Sequence, residues 1–275
     1  MSVRSSSDID VLLVVASIRA HWRAIAAGLV VGMLAAATYL LIADRIYRVD
    51  VVVTSTADDE QSPLSGLAGA LGGLSALGGE LLGNANLENE SIALLHSKTI
   101  AMALISRNDL IPILFEEKWH SENDEWQVSA DDIPTMADAV ERLHEDVIRV
   151  RRDRELGLIT ISAYWRNKEL ASDWAMQMIS LVNEKMRRQA IDEATQSLAY
   201  LAEELEKSQN VEARQMISQL MQSKLNNSAM ASAKREYAFR IIDPAILPDD
   251  DDYVRPNVIL AVVGSTLLGM ILGFT

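Results

Sequence analysis

The 275-residue chain has no cysteine, which excludes disulfides, thiolate nucleophiles and zinc–thiolate sites and is compatible with either side of a membrane. Histidine occurs only four times, as His21, His96, His120 and His144. His144-Glu145 is not followed by the second histidine that a helical zinc motif requires. A Walker-type loop, a G-x-G-x-x-G turn after a strand and a G-x-S-x-G elbow are also missing. The expectation is therefore no catalytic residue, no metal site, no cofactor and no enzymatic activity. Positive charge is scarce too, with 25 Lys and Arg against 39 Asp and Glu and a net charge of −14. Nucleic acid and anionic bilayer surfaces both require a positive field, so the chain as a whole is not built to bind either.

Long uncharged runs are confined to the two ends. Ala24–Ala43 offers 20 uncharged residues, about the length a helix needs to cross ~30 Å of hydrocarbon. Its apolar core exceeds the roughly 7–15 residues of a signal peptide, which favours an uncleaved span. The chain is again uncharged from Asn257 onwards. Four segments are predicted: 1–23, a cytoplasmic N-terminal segment; 24–43, transmembrane helix 1; 44–257, an α/β plus helical-hairpin domain on one side; and 258–275, transmembrane helix 2. Arg4, Arg19 and Arg23, against Arg45 and Arg48, tip the N-terminus towards the cytoplasm. Gly28, Gly32 and Ala36, and likewise Ser265, Gly269 and Gly273, recur every four residues as small-residue stripes for transmembrane packing, although glycine is common in spans for other reasons. No basic tail follows Phe274-Thr275, which suggests truncation at that end.

Between the ends, β-branched residues 47–55 predict a strand leaving the first span. From Pro63 to Gly79 glycine dominates, yet Leu64, Leu67, Leu71, Leu74, Leu77 and Leu81 keep helical spacing. Glycine costs about 1 kcal/mol per helical residue, so such a face needs a partner surface. Three readings stay open: a packed or loose loop within one protomer, an oligomer contact, or a segment dipping into the bilayer. Residues 87–110 read as one helix, 111–126 as a loop carrying Trp119 and Trp126, and a further helix follows Pro134. Residues 147–165 read as two strands joined at Glu155-Leu156-Gly157. From Asn167 to about Ser208 the pattern is helical, with a seam of Ile191, Ala194, Leu198, Leu201 and Leu205. A polar break and a shorter helix, 212–230, complete a helical hairpin. Residues 237–243 form a strand suited to pairing with the one begun by Tyr47.

Arg149, Arg151, Arg152 and Arg154 stand out in an acidic domain. They suit a polyanion, whether a sugar or a lipid phosphate, or pairing with surplus carboxylates within or between protomers. Asp249–Asp252 reads as a solvated acidic loop rather than a calcium site, since it lacks spaced ligands. Pro244, Pro248 and Pro256 make a stiff proline neck.

Three stretches carry a family resemblance: YRVDVVV (47–53) after the first span, GLAGALGGLSALGG (66–79), and YAFRIIDPAILP (237–248) with its proline-rich approach to a glycine-containing second span. The chain resembles the Wzz-type chain-length determinants, bacterial polysaccharide co-polymerases. The resemblance implies an α+β membrane protein: two transmembrane helices flanking a periplasmic α/β base with a long protruding helical hairpin. It implies a multi-pass protein of the bacterial inner membrane, with cytoplasmic termini and a periplasmic main domain. It further implies a homo-oligomeric ring that sets the length of a lipid-linked surface polysaccharide (O-antigen, capsule or exopolysaccharide) with a partner polymerase, and in some relatives a separate cytoplasmic tyrosine kinase. The four aspartates depart from the family's proline box. The competing reading is a periplasmic adaptor or scaffold of an envelope export machine, for which the strands are too few.

Overall fold

In the computed structural model, residues 22–56, 87–120 and 122–274 are described. The chain divides into two units, Arg48–Pro248 and the paired ends Met1–Tyr47 with Asp249–Thr275.

The larger unit is built on a sheet of order β4-β5-β1-β6. β1 (Ile46–Ser55) buries every second residue, Val49, Val51, Val53 and Ser55, because the side-chain period of a strand is two and one face is covered. The helical residues 87–95 form α2. α3 (Lys98–Asn108) follows, with Ser97 at its N-cap accepting from the Ile100 N–H at 3.2 Å. The single helix expected over 87–110 is thus two helices, because a serine side chain that satisfies an orphan N–H favours a new start. Asp109 closes α3 at φ 48° and leads into α4 (Leu110–Leu114).

The expected loop after it contains a small hairpin, β2 (Trp119–His120) and β3 (Glu125–Trp126), whose indoles meet edge-on at 4.9 Å. α5 (Met136–Arg142) starts on a capping box between Thr135 and Asp138 and runs into a π turn, Leu143–Val147. β4 (Ile148–Arg152) and β5 (Leu158–Trp165) form the expected hairpin, in register from Ile148↔Ala163 to Arg152↔Ile159. Asp153 accepts from the Glu155 and Leu156 amides in the turn, and Gly157 takes φ 66°, a conformation that favours glycine.

α6 (Lys168–Lys207) is 40 residues long, about 60 Å at 1.5 Å each. Asn167 caps it through the Leu170 amide. Its first half enters the core through Ala171, Trp174, Ala175, Met178, Ile179, Val182 and Met186; farther along, only Ala194 is buried. That outer half runs with α7 (Val211–Ala233), capped by Asn210. β6 (Phe239–Asp243) returns antiparallel beside β1, with Ser55↔Phe239 and Val53↔Ile241, as the sequence suggests. Asn183 ties α6 to that strand: its Oδ1 accepts from the Ala238 and Phe239 amides at 2.8 Å, and its Nδ2 donates to the Phe239 carbonyl at 2.9 Å.

The smaller unit joins α1 (Trp22–Ile42) to α8 (Val258–Phe274). A Cβ added to Gly32 would lie 2.5 Å from the Ser265 carbonyl oxygen, and one on Gly269 would strike the Gly28 carbonyl. The helices therefore meet backbone to backbone and run antiparallel. β7 (Tyr253–Arg255) pairs with the first residues of β1, Ile46↔Arg255 and Tyr47↔Tyr253.

This unit corrects the expected transmembrane helices at 24–43 and 258–275. Among the described residues, no helix is long and apolar enough to cross a membrane. A span needs a continuous helix that is both as long as the ~30 Å of hydrocarbon and apolar along that length, and none of the described helices meets both conditions. The class of an α+β membrane protein with two flanking spans, and the multi-pass inner-membrane location, fall with that finding. A mixed helix-and-sheet arrangement with a long helical hairpin stands.

Candidate functional site

The sheet of the larger unit has two unlike faces. One is the core face of Val49, Val51, Val53, Ile159, Ile161, Ala163 and Phe239, all buried. Strand alternation sends the intervening residues to the opposite face. There, β4 presents Arg149 and Arg151, both exposed; β5 presents Leu158, Thr160, the buried Ser162 and Tyr164; β1 presents Arg48, Asp50, Val52 and Thr54. β6 adds Arg240, opposite Thr54, and past a register shift Asp243 lies opposite Val52. Four arginines thus share one sheet face with two aspartates, in a chain whose net charge is −14.

Tyr164 organises part of this face. The Arg149 guanidinium lies 5.2 Å from its ring centroid and that of Arg48 5.9 Å. A ring attracts the flat side of a guanidinium without using its N–H donors, which stay available for oxyanions. Arg48 spends one donor on Asp50 at 2.8 Å. That hydrogen bond raises its pKa further, against the opposing effect of partial burial. Arg149 reaches the Glu145 carbonyl only at 3.5 Å.

Of the four clustered arginines, Arg152 points the other way and forms an ion pair with Glu88. Arg151 and Arg154 have no ion pair among the described residues, and Arg154 sits in the β4–β5 turn. Within the chain, among the described residues, one member of this cluster pairs with a carboxylate. Arg48, Tyr164 and Arg240 were missed by a search for local clusters. The signal was present in the parity of the strands, since each belongs to the half of its strand that the core does not use.

A groove of about 500 Å³ lies near the end of this sheet, lined by Thr56, Lys234, Arg235, Glu236 and Arg240. Arg240 belongs to both groove and sheet face.

The other candidate residues fall elsewhere. Gly32 faces Ser265 and Gly269, and Gly28 faces Gly269, in the α1–α8 contact; Ala36 is buried in α1, and Gly273 lies in α8. Pro244 and Pro248 lie in an extended stretch after β6, where Lys168 donates to the Pro248 carbonyl at 2.9 Å. Pro256 follows β7 through a cis bond. The Asp249–Asp252 loop closes on an amide-to-carbonyl bond of 3.0 Å, and among the described residues no cluster of carboxylates and histidines is arranged to hold a metal ion. Leu64, Leu67, Leu71, Leu74, Leu77 and Leu81 lie outside the described residues.

Comparison with known proteins gives one family. The model of the chain length determinant protein family, Wzz, matches residues 7–107. No curated protein matches the chain. A solved full-length bacterial polysaccharide co-polymerase is similar at 11% identity, over 96% of this chain and 94% of that one, with a TM-score of 0.37. A fragment of WzzB, a polysaccharide co-polymerase from Salmonella Typhimurium, is similar at 12% identity over 74% and 96%, with a TM-score of 0.31. The family match bears out the Wzz-type resemblance read from the sequence.

Proposed function

We propose that this Wzz-type chain is a chain-length regulator, a non-enzymatic co-polymerase that oligomerises and sets how far a partner polymerase extends a lipid-linked surface polysaccharide. The family match over residues 7–107 is the observation that carries this reading. A mixed α/β body with a 40-residue helix leading into a hairpin fits it. A regulator of this kind acts by holding copies of itself and its partner together, so its working parts are surfaces rather than a reaction centre. Residues 64–81, with their leucine spacing, are assigned the contact between copies.

The test has two parts. The native mass of the purified full chain is expected to be a multiple of 30.3 kDa, and Leu71→Asp with Leu74→Asp is expected to lower it while leaving the circular dichroism unchanged. Affinity isolation from cells making the polysaccharide is expected to bring down its polymerase. A monomeric chain that captures no polymerase contradicts the reading.

A further inference from the structure

We infer that the sheet face opposite the core, carrying Arg48, Arg149, Arg151 and Arg240, docks an acidic glycan, a run of sugars bearing carboxylate groups. The choice of a glycan rests on the chain-length reading above, whereas the anion chemistry rests on the face alone. Three observations carry it.

The first is charge segregation. The chain has a surplus of 14 negative charges, yet this face gathers four arginines against two aspartates. A solvated surface of a strongly acidic protein has no reason to concentrate its cations on one side of one sheet, and a polyanion repelled by the rest of the molecule is drawn to it.

The second is preorganisation. Arg149 and Arg48 are both held over Tyr164, at 5.2 and 5.9 Å. The ring fixes both side chains; Arg48 is also paired with Asp50, whereas Arg149 has no carboxylate partner among the described residues, and its placement lowers the entropy lost when an oxyanion takes up its N–H edge. Arg151 stands two residues from Arg149 on the same side of β4, about 7 Å along the strand, so successive anionic groups of one polymer meet successive cations.

The third is what the face lacks. A protein partner needs an apolar or aromatic centre that becomes fully buried, with charge at the rim. Here the apolar members, Val52, Leu158 and the exposed Ile242 at the β1–β6 irregularity, are aliphatic and scattered among charges and hydroxyls, and the aromatic ring of Tyr164 is already engaged by arginine. That composition suits a hydrated, charged chain.

The experiment uses the purified full-length chain and a fluorescent oligogalacturonate, read by anisotropy at low and at moderate salt. Binding is expected, with an affinity that falls as salt rises. Arg149→Gln with Arg151→Gln, both exposed positions, is expected to raise Kd about tenfold or more, equal to ~1.4 kcal/mol. Lys224→Gln, on the exposed side of α7, is expected to leave Kd unchanged. Tyr164→Leu keeps every charge and is expected to weaken binding through the loss of arginine placement. An unchanged Kd in the double variant overturns the proposal. So does equal affinity for a neutral maltooligosaccharide of the same length, or for an oligothymidylate of the same charge, which would show a face that reads charge alone. Failure of the regulator reading is separable, because it would leave oligogalacturonate binding intact.

Discussion

The two units of this chain are held together by opposite means. In the smaller one, α1 and α8 touch through absent side chains: Gly32 lies against the Ser265 carbonyl and Gly269 against that of Gly28, so the contact consists of backbone meeting backbone. In the larger one, the contact consists of bulk, with Trp174, Phe239, Leu104, Leu143 and Met178 fully enclosed between helices and sheet. The first kind of contact is broken by adding atoms, the second by removing them. Small-residue packing gains close van der Waals approach and little apolar burial, and core packing gains the reverse. The same substitution chemistry should therefore act with opposite sense in the two units.

The largest expected effect is Trp174→Ala. The indole is 1% exposed and packs against Trp165 in a tilted arrangement at 5.2 Å, and its loss is expected to destabilise the larger unit by about 3–5 kcal/mol in urea denaturation. A loss near zero would mean that α6 does not anchor this core.

Next is Asn183→Leu, close to isosteric but apolar. It strands the Ala238 and Phe239 amides in a buried setting, at an expected cost of about 2–3 kcal/mol. An equally stable variant would show that bulk alone holds β6, which would sharpen the contrast between the units.

Gly32→Val adds atoms where a Cβ already meets a backbone carbonyl at 2.5 Å, and overpacking of this kind costs about 1–3 kcal/mol. Because the chain has no cysteine, spin labels placed at Val31→Cys and Leu267→Cys report the helix separation without interference. The distance is expected to widen in Gly32→Val and to stay fixed in Gly264→Val, where no atom lies within 4 Å. Equal behaviour of the two variants would break the comparison.

The smallest effect concerns His144, whose Nε2 is buried without a hydrogen-bond partner among the described residues. Burial, and then the charge of His96, push its pKa below the ordinary 6.5. The unfolded chain takes up this proton near pH 6.5, while the folded chain resists until a lower pH. Stability of the larger unit is therefore expected to fall as pH drops from about 6.5 towards the folded pKa, and to level off below it. His144→Gln is expected to flatten that slope, and an unchanged slope would assign it to other groups.

The difference between the units also explains what the sequence made legible. Periodicity revealed the strand begun by Tyr47, the hairpin around Gly157 and the ends of the long helix, because alternation, helical spacing and the polar break after Ser208 are local signals. The break at Ser97 was equally local, but the apolar spacing ran through it and hid the cap. The hairpin joining Trp119 to Trp126 is too short to show a period.

Counting uncharged residues at the ends led to two transmembrane helices. That count measures composition, whereas a span also needs a continuous helix of sufficient length, and no described helix meets both conditions. The cationic face was half legible. Arg149 and Arg151 are neighbours in sequence, but Arg48 and Arg240 join them only through strand pairings that span about 100 residues or more, and no local pattern records those.

The measurement that bears most directly on the chain-length reading is the size distribution of the surface polysaccharide, resolved on a gel from cells with and without this gene while the polymerase is kept intact. Deletion is expected to shift or spread the modal length and the full-length gene to restore it. An identical ladder in the presence and absence of the gene would contradict it.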